Sequence, residues 1–108
     1  MDDDALLLVL TTLATRDEAL ALGRAMVEAR LAACAQVEAV ASVYRWQGAL
    51  QQGDEWRLLL KTTAARYPAL ETALRAQHPY ELPALVAVPV AAAAASFAAW
   101  VVAETQPG

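Results

Sequence analysis

The chain has 108 residues, 58% of them hydrophobic, with eight basic side chains against twelve acidic ones and a formal net charge of −4. That length holds one domain, residues 1–108, with a poor surface-to-volume ratio, so an apolar excess points to a subunit interface. The scattered basic residues exclude the basic face of a nucleic-acid binder. A single cysteine, Cys34, excludes an intrachain disulfide and fits a reducing cytoplasm. The acidic start Met1-Asp2-Asp3-Asp4 is unlike a secretory signal, and the apolar runs are too short to span a bilayer, so no membrane partner and a cytoplasmic location are expected.

Ala5 to Leu10 is a continuous apolar run of strand length, as in a central strand. Thr15-Arg16-Asp17-Glu18 is a capping box that opens a helix to about Arg30, with Leu20, Gly23, Val27 and Leu31 on one stripe and Met26 beside it. From Cys34 the period changes to two. Val37, Ala39, Ala41 and Val43 face one way; Val40, Ser42, Tyr44 and Trp46 face the other. Gln47-Gly48 reads as a bulge, and Gln52-Gly53-Asp54 as the turn into a return strand from Glu55 to about Thr63. Strand ends carrying Tyr44, Trp46 and Trp56 would overhang a single sheet and ask for a partner.

Thr63 is expected to cap a second helix with Pro68 in its first turns, and Leu70 and Leu74 on its buried stripe. The stiff segment Gln77-His78-Pro79-Tyr80-Glu81-Leu82-Pro83 ends it and holds the only histidine. Ala84 to Val90 reads as a fourth strand whose Pro89 belongs at an edge. Ser96 is expected to cap a last helix with Phe97, Trp100 and Val101 on its apolar face. The order β-α-β-β-α-β plus a terminal helix is α+β, the ferredoxin-like sandwich of four antiparallel strands with two helices on one face.

Seven segments recur here in a characteristic order: Val9-Leu10-Thr11-Thr12, Arg30-Leu31-Ala32-Ala33-Cys34, Ser42-Val43-Tyr44-Arg45-Trp46-Gln47-Gly48, Leu60-Lys61-Thr62-Thr63, His78-Pro79-Tyr80-Glu81-Leu82-Pro83, Val88-Pro89-Val90, and Phe97 to Trp100. Together they closely resemble the CutA divalent-cation-tolerance family, from about Ala5 to Glu104. The resemblance implies a tight homotrimer similar to the PII signalling proteins, with strands of one protomer extending the sheet of the next. The Tyr44–Trp56 hairpin would carry that contact. It also implies a part in the response to copper and other divalent cations.

The copper site associated with the family uses a cysteine at the end of the first strand and two adjacent histidines. The matching positions are Thr11, Gln77 and His78, so His78 alone keeps a metal-binding side chain, and it predicts a weak, exchangeable contact with copper or another divalent cation. Glu81 or Cys34 are the residues that could complete it. A hydrogen-bonded loop histidine holding the Tyr80 segment is the alternative. Ala93 stands where the resemblance implies a glycine.

Lys61 interrupts the apolar strand Leu58-Leu59-Leu60. Either its stem lies along the sheet with the ammonium in water, or it shares a subunit cleft with Tyr80 and Glu81 and meets a small ligand. A PII-like small-ligand sensor and a trimeric anchoring scaffold are the alternative functions. A hydrolase finds little support. Acylphosphatases share the fold but need an asparagine, which this chain lacks, and Cys34 with His78 is the only candidate dyad.

Overall fold

The structure is a computed structural model and describes all 108 residues. Its elements are β1 (Leu6–Leu13), α1 (Arg16–Glu28), β2 (Cys34–Trp46), β3 (Ala49–Thr63), α2 (Tyr67–Gln77), β4 (Val86–Pro89) and α3 (Ala95–Glu104). The four strands form one sheet in the order β2-β3-β1-β4, with every neighbouring pair antiparallel. This is the ferredoxin-like arrangement expected from the element order.

The alternation of side chains divides the sheet into two faces. Leu7, Val9 and Leu13 of β1 and Leu58 and Leu60 of β3 are buried with Leu22 and Met26 of α1 and Leu70 and Leu74 of α2. Burying each of these side chains contributes about 1.5–3 kcal/mol. Lys61, Leu59, Arg57 and Glu55 alternate with the buried residues of β3 and therefore lie on the opposite face. There α3 packs against β3 at the Lys61 end.

α1 starts as expected. The Thr15 hydroxyl accepts from the Glu18 N–H at 3.1 Å, and the same hydroxyl meets Glu18 Oε1 at 3.0 Å. Its buried stripe is shifted by one position: Ala19, Leu22, Gly23 and Met26 are buried, and Leu20 is exposed. Gly23 fixes this rotation. A Cβ there would come within 2.9 Å of both Ala35 Cβ and Leu58 Cδ1, so only a glycine lets the helix lie this close to the sheet.

Three further expectations are corrected. Thr63 does not cap α2. The N-cap is Arg66, and the Thr63 carbonyl instead accepts from the Arg66 N–H in the preceding turn. Ser96 does not cap α3 but lies inside it, behind an N-cap at Ala94. At its far end, Arg30 Nε and Nη2 donate to the carbonyls of Gln106 and Ala103 and hold the last turn. The fourth strand begins at Val86, not Ala84, and its pairing with β1 ends at Leu10↔Val86. Ala93 keeps a negative φ, so the backbone there suits alanine.

The hairpin turn is the correction that matters most for function. Register pairs run without a break from Cys34↔Lys61 to Trp46↔Ala49, so Gln52-Gly53-Asp54 lies inside β3 and the turn is Gln47-Gly48. Both turn residues have positive φ, 50° and 79°, the signature of a tight hairpin turn whose twist matches the strands. β1 ends opposite Trp56, so everything from Val40↔Glu55 to Trp46↔Ala49 projects beyond the sheet as a two-stranded ribbon. At about 3.4 Å per residue it reaches about 20 Å. Val43, Tyr44, Trp46 and Leu50 are exposed along it.

Candidate functional site

The site grows from the end of α2. His78 is its C-cap, with extended backbone (φ −73°, ψ 133°) and its N–H bonded to the Leu74 carbonyl at 2.9 Å. Pro79 disfavours helical geometry at His78, so the chain turns out of the helix there. The imidazole turns inward and is buried. Its Nδ1 lies 3.1 Å from the Tyr80 N–H, and its Nε2 lies 3.0 Å from both the Thr12 carbonyl and the Thr11 hydroxyl. A backbone N–H can only donate, so Nδ1 must offer its lone pair. Nε2 then carries the proton and shares it between Thr12 and Thr11. Both ring nitrogens are thus used within the chain.

Burial pushes the His78 pKa below the ordinary 6.5, against the opposing pull of the Thr12 carbonyl and the Glu18 charge. The sign of the linkage follows. Above pH 6.5 the ring is neutral in both states and its contribution is complete. As pH falls below 6.5 the unfolded chain takes up a proton that the folded chain refuses, so stability is lost down to the lowered folded value. Denaturation at fixed protein concentration between about pH 7.5 and 5.5 should therefore show a loss that His78→Gln removes.

Tyr80 follows directly. Its ring lies 4.9 Å from the imidazole, tilted by 55°, and its hydroxyl donates to Glu55 Oε2 at 3.1 Å. Burial, then the hydrogen bond and charge of Glu55, push the phenol pKa up to about 12, with smaller contributions from Tyr44 and Glu18. The phenol stays protonated and ties the loop to the base of the projecting ribbon.

Between loop and ribbon lies an open cleft of about 880 Å³, walled by Tyr44, Trp46 and Glu55 on one side and Tyr80, Glu81 and Leu82 on the other. Tyr80 and Glu81 therefore share a cleft within one chain. Lys61 does not join them within one chain. It stands six residues from Glu55 along β3, about 20 Å away. There it donates to Gln36 Oε1 at 3.0 Å and sits 5.6 Å from the Phe97 ring centre. Cys34 pairs with Lys61 at that same end and forms no dyad with His78.

Of the three positions that the sequence resemblance implied for copper, the fold joins two: Thr11 and His78 are hydrogen-bonded, while Gln77 is exposed at the end of α2. No group of three or more His, Cys, Asp or Glu side chains is placed to hold a metal ion. The sequence reading missed Glu55, and the misplaced turn explains why. With the turn at Gln47-Gly48, the register puts Glu55 opposite Val40 and on the face of Ser42, Tyr44 and Trp46.

No helix is long and apolar enough to cross a membrane. The model of the family described as "CutA1 divalent ion tolerance protein" matches residues 7–104. A divalent-cation tolerance protein CutA of Thermus thermophilus is 40% identical over 93 residues, which are 85% of this chain and 90% of that protein. The Thermotoga maritima protein of the same name is 38% identical over 79% of this chain and 84% of its own. Among solved structures, CutA from Synechococcus elongatus PCC7942 superposes with a TM-score of 0.92 at 37% identity, covering 98% of this chain and 95% of that one. With a whole-domain match, near-complete relatives and the same fold, the chain belongs to the CutA1 divalent ion tolerance protein family.

Proposed function

We propose that this chain acts as a cytoplasmic, non-enzymatic homotrimer in the response to divalent cations, and that it works through the cleft beside its projecting hairpin and not through a copper centre of its own. The observation that carries the reading is the ribbon from Val40 to Glu55. It leaves the sheet with Val43 and Leu50 exposed on the face opposite Tyr44 and Trp46, an arrangement that invites association unless another chain covers it. Relatives named for divalent-cation tolerance supply the biological setting.

The residues present do not fit a copper centre. Thr11 and Gln77 offer neutral oxygen or amide groups, which compete poorly with thiolate and imidazole for copper. Binding through His78 would first break its bonds to Thr12, Thr11 or Tyr80. Copper contact at His78 is therefore weak and exchangeable in this reading. Light scattering should give a three-chain mass. Copper titration should give the same weak heats for the parent and for His78→Ala. A stable single chain defeats the trimer, and a tight copper isotherm that His78→Ala abolishes defeats the structural reading of the histidine.

A further inference from the structure

The charge inventory of the cleft is one-sided. Its walls include the carboxylates of Glu55 and Glu81 and three aromatic rings, Tyr44, Trp46 and Tyr80, with no lysine, arginine or histidine. The nearest cation on that face of β3, Arg57, is already paired with Glu38 at 2.8 Å. We propose that the cleft binds a compact organic cation, an ammonium group on a small carbon body, seated against the Glu55 carboxylate and the rings of Tyr44 and Tyr80. This inference rests on the reading of the chain as a cleft-binding protein and names the ligand class.

Three observations separate this class from its rivals. An anion or nucleotide would meet two carboxylates and no counter-charge. A bare divalent ion needs a cage of oxygen, nitrogen or sulfur ligands, which no group of side chains here provides. An ammonium is satisfied by a single carboxylate and by aromatic faces, whose quadrupoles attract it, while Leu82, Pro83 and Ala84 accept its carbon body.

The carboxylate is also held ready. The Tyr80 hydroxyl binds Glu55 through Oε2 alone, and Oε1 has no partner within the chain. The phenol keeps its proton across the working pH range, so it orients the carboxylate without adding charge. The register places Gly53 opposite Ser42 on the same face, and a Cβ built on Gly53 meets nothing within 4 Å. A side chain at Gly53 would therefore enter open space beside the cleft. The volume falls within the range of small-molecule sites, roughly 300–1,000 Å³.

Calorimetric titration of the full chain with choline tests the proposal. The control is choline's uncharged carbon analogue, in which tert-butyl replaces trimethylammonium. Choline should bind saturably and at least tenfold more tightly than the analogue. Glu55→Gln keeps an oxygen acceptor for Tyr80 and removes only the charge; it should weaken choline about tenfold with the light-scattering mass unchanged. Tyr44→Ala, at an exposed ring, should weaken it severalfold.

Equal binding of choline and its analogue, or choline affinity untouched by Glu55→Gln, overturns the proposal. So does the absence of binding to choline and tetramethylammonium alike. Binding seen only after the trimer is broken would mean that a second copy fills the cleft, which also overturns it. A single-chain mass with choline binding intact would instead defeat the trimer reading and leave this inference standing.

Discussion

Replacing Val43 and Leu50 together by glutamate is expected to convert the proposed homotrimer to single chains without unfolding them. The register puts the two side chains on one face of the projecting ribbon, with Arg45 and Gln52 as their cross-strand partners. In the lone chain they are 64% and 70% exposed, so they add little to the fold of the protomer. Covered by another chain, each contributes up to about 1.5–3 kcal/mol, and the contact recurs three times in a closed trimer. A carboxylate in their place adds a desolvation cost on top of the lost burial.

Light scattering at micromolar concentration should fall from the three-chain to the one-chain mass, with the far-ultraviolet circular dichroism spectrum retained. A trimer that persists with an unchanged melting midpoint would show that this face is not the interface. Tyr44 and Trp46 point to the other side of the ribbon, so the same variant keeps the aromatic wall of the cleft. Val43 also lines the cleft, so this variant tests assembly and not cleft binding.

The order of elements was legible because each depends on local patterning: the apolar run of β1, the Thr15 capping box, the period of two after Cys34 and the stiff proline-framed loop. What failed were choices between two local signals of similar strength. Gln47-Gly48 and Gln52-Gly53-Asp54 both look like turns, and glutamine is an uncommon residue at positive φ. Only the pairing of the strands decides between them. The stripe of α1 was displaced because Leu20 outranks Ala19 in hydrophobicity, while the close approach at Gly23 is a tertiary fact.

The same limit governs the site. His78, Tyr80 and Glu81 are adjacent in sequence and were read together. Glu55 belongs with them only through the hairpin register, and Lys61 is taken from them by the same register. A cleft built across non-local pairing is hidden from a residue-by-residue reading. The hydrogen bonds of the His78 ring were hidden too, because its partners Thr11 and Thr12 lie 67 and 66 residues away.

His78→Ala is expected to lower stability by about 2–3 kcal/mol in protein freed of metal by a chelator. The substitution leaves the Tyr80 N–H and the Thr12 carbonyl without partners, and each buried group left unpaired costs roughly 1–3 kcal/mol. Water entering beside the exposed Pro79 offsets part of that sum. Loosening should spread along the loop, since the imidazole holds the Tyr80 N–H and Tyr80 in turn holds Glu55. Amide exchange at Tyr80 should accelerate, whereas exchange at Leu60 and Leu70 in the core should change only by the global loss. The chelator decides between the two roles of the ring. A histidine kept for metal would leave the metal-free protein as stable after substitution as before. A histidine whose two nitrogens fasten the loop to β1 must destabilise it with no metal in solution at all.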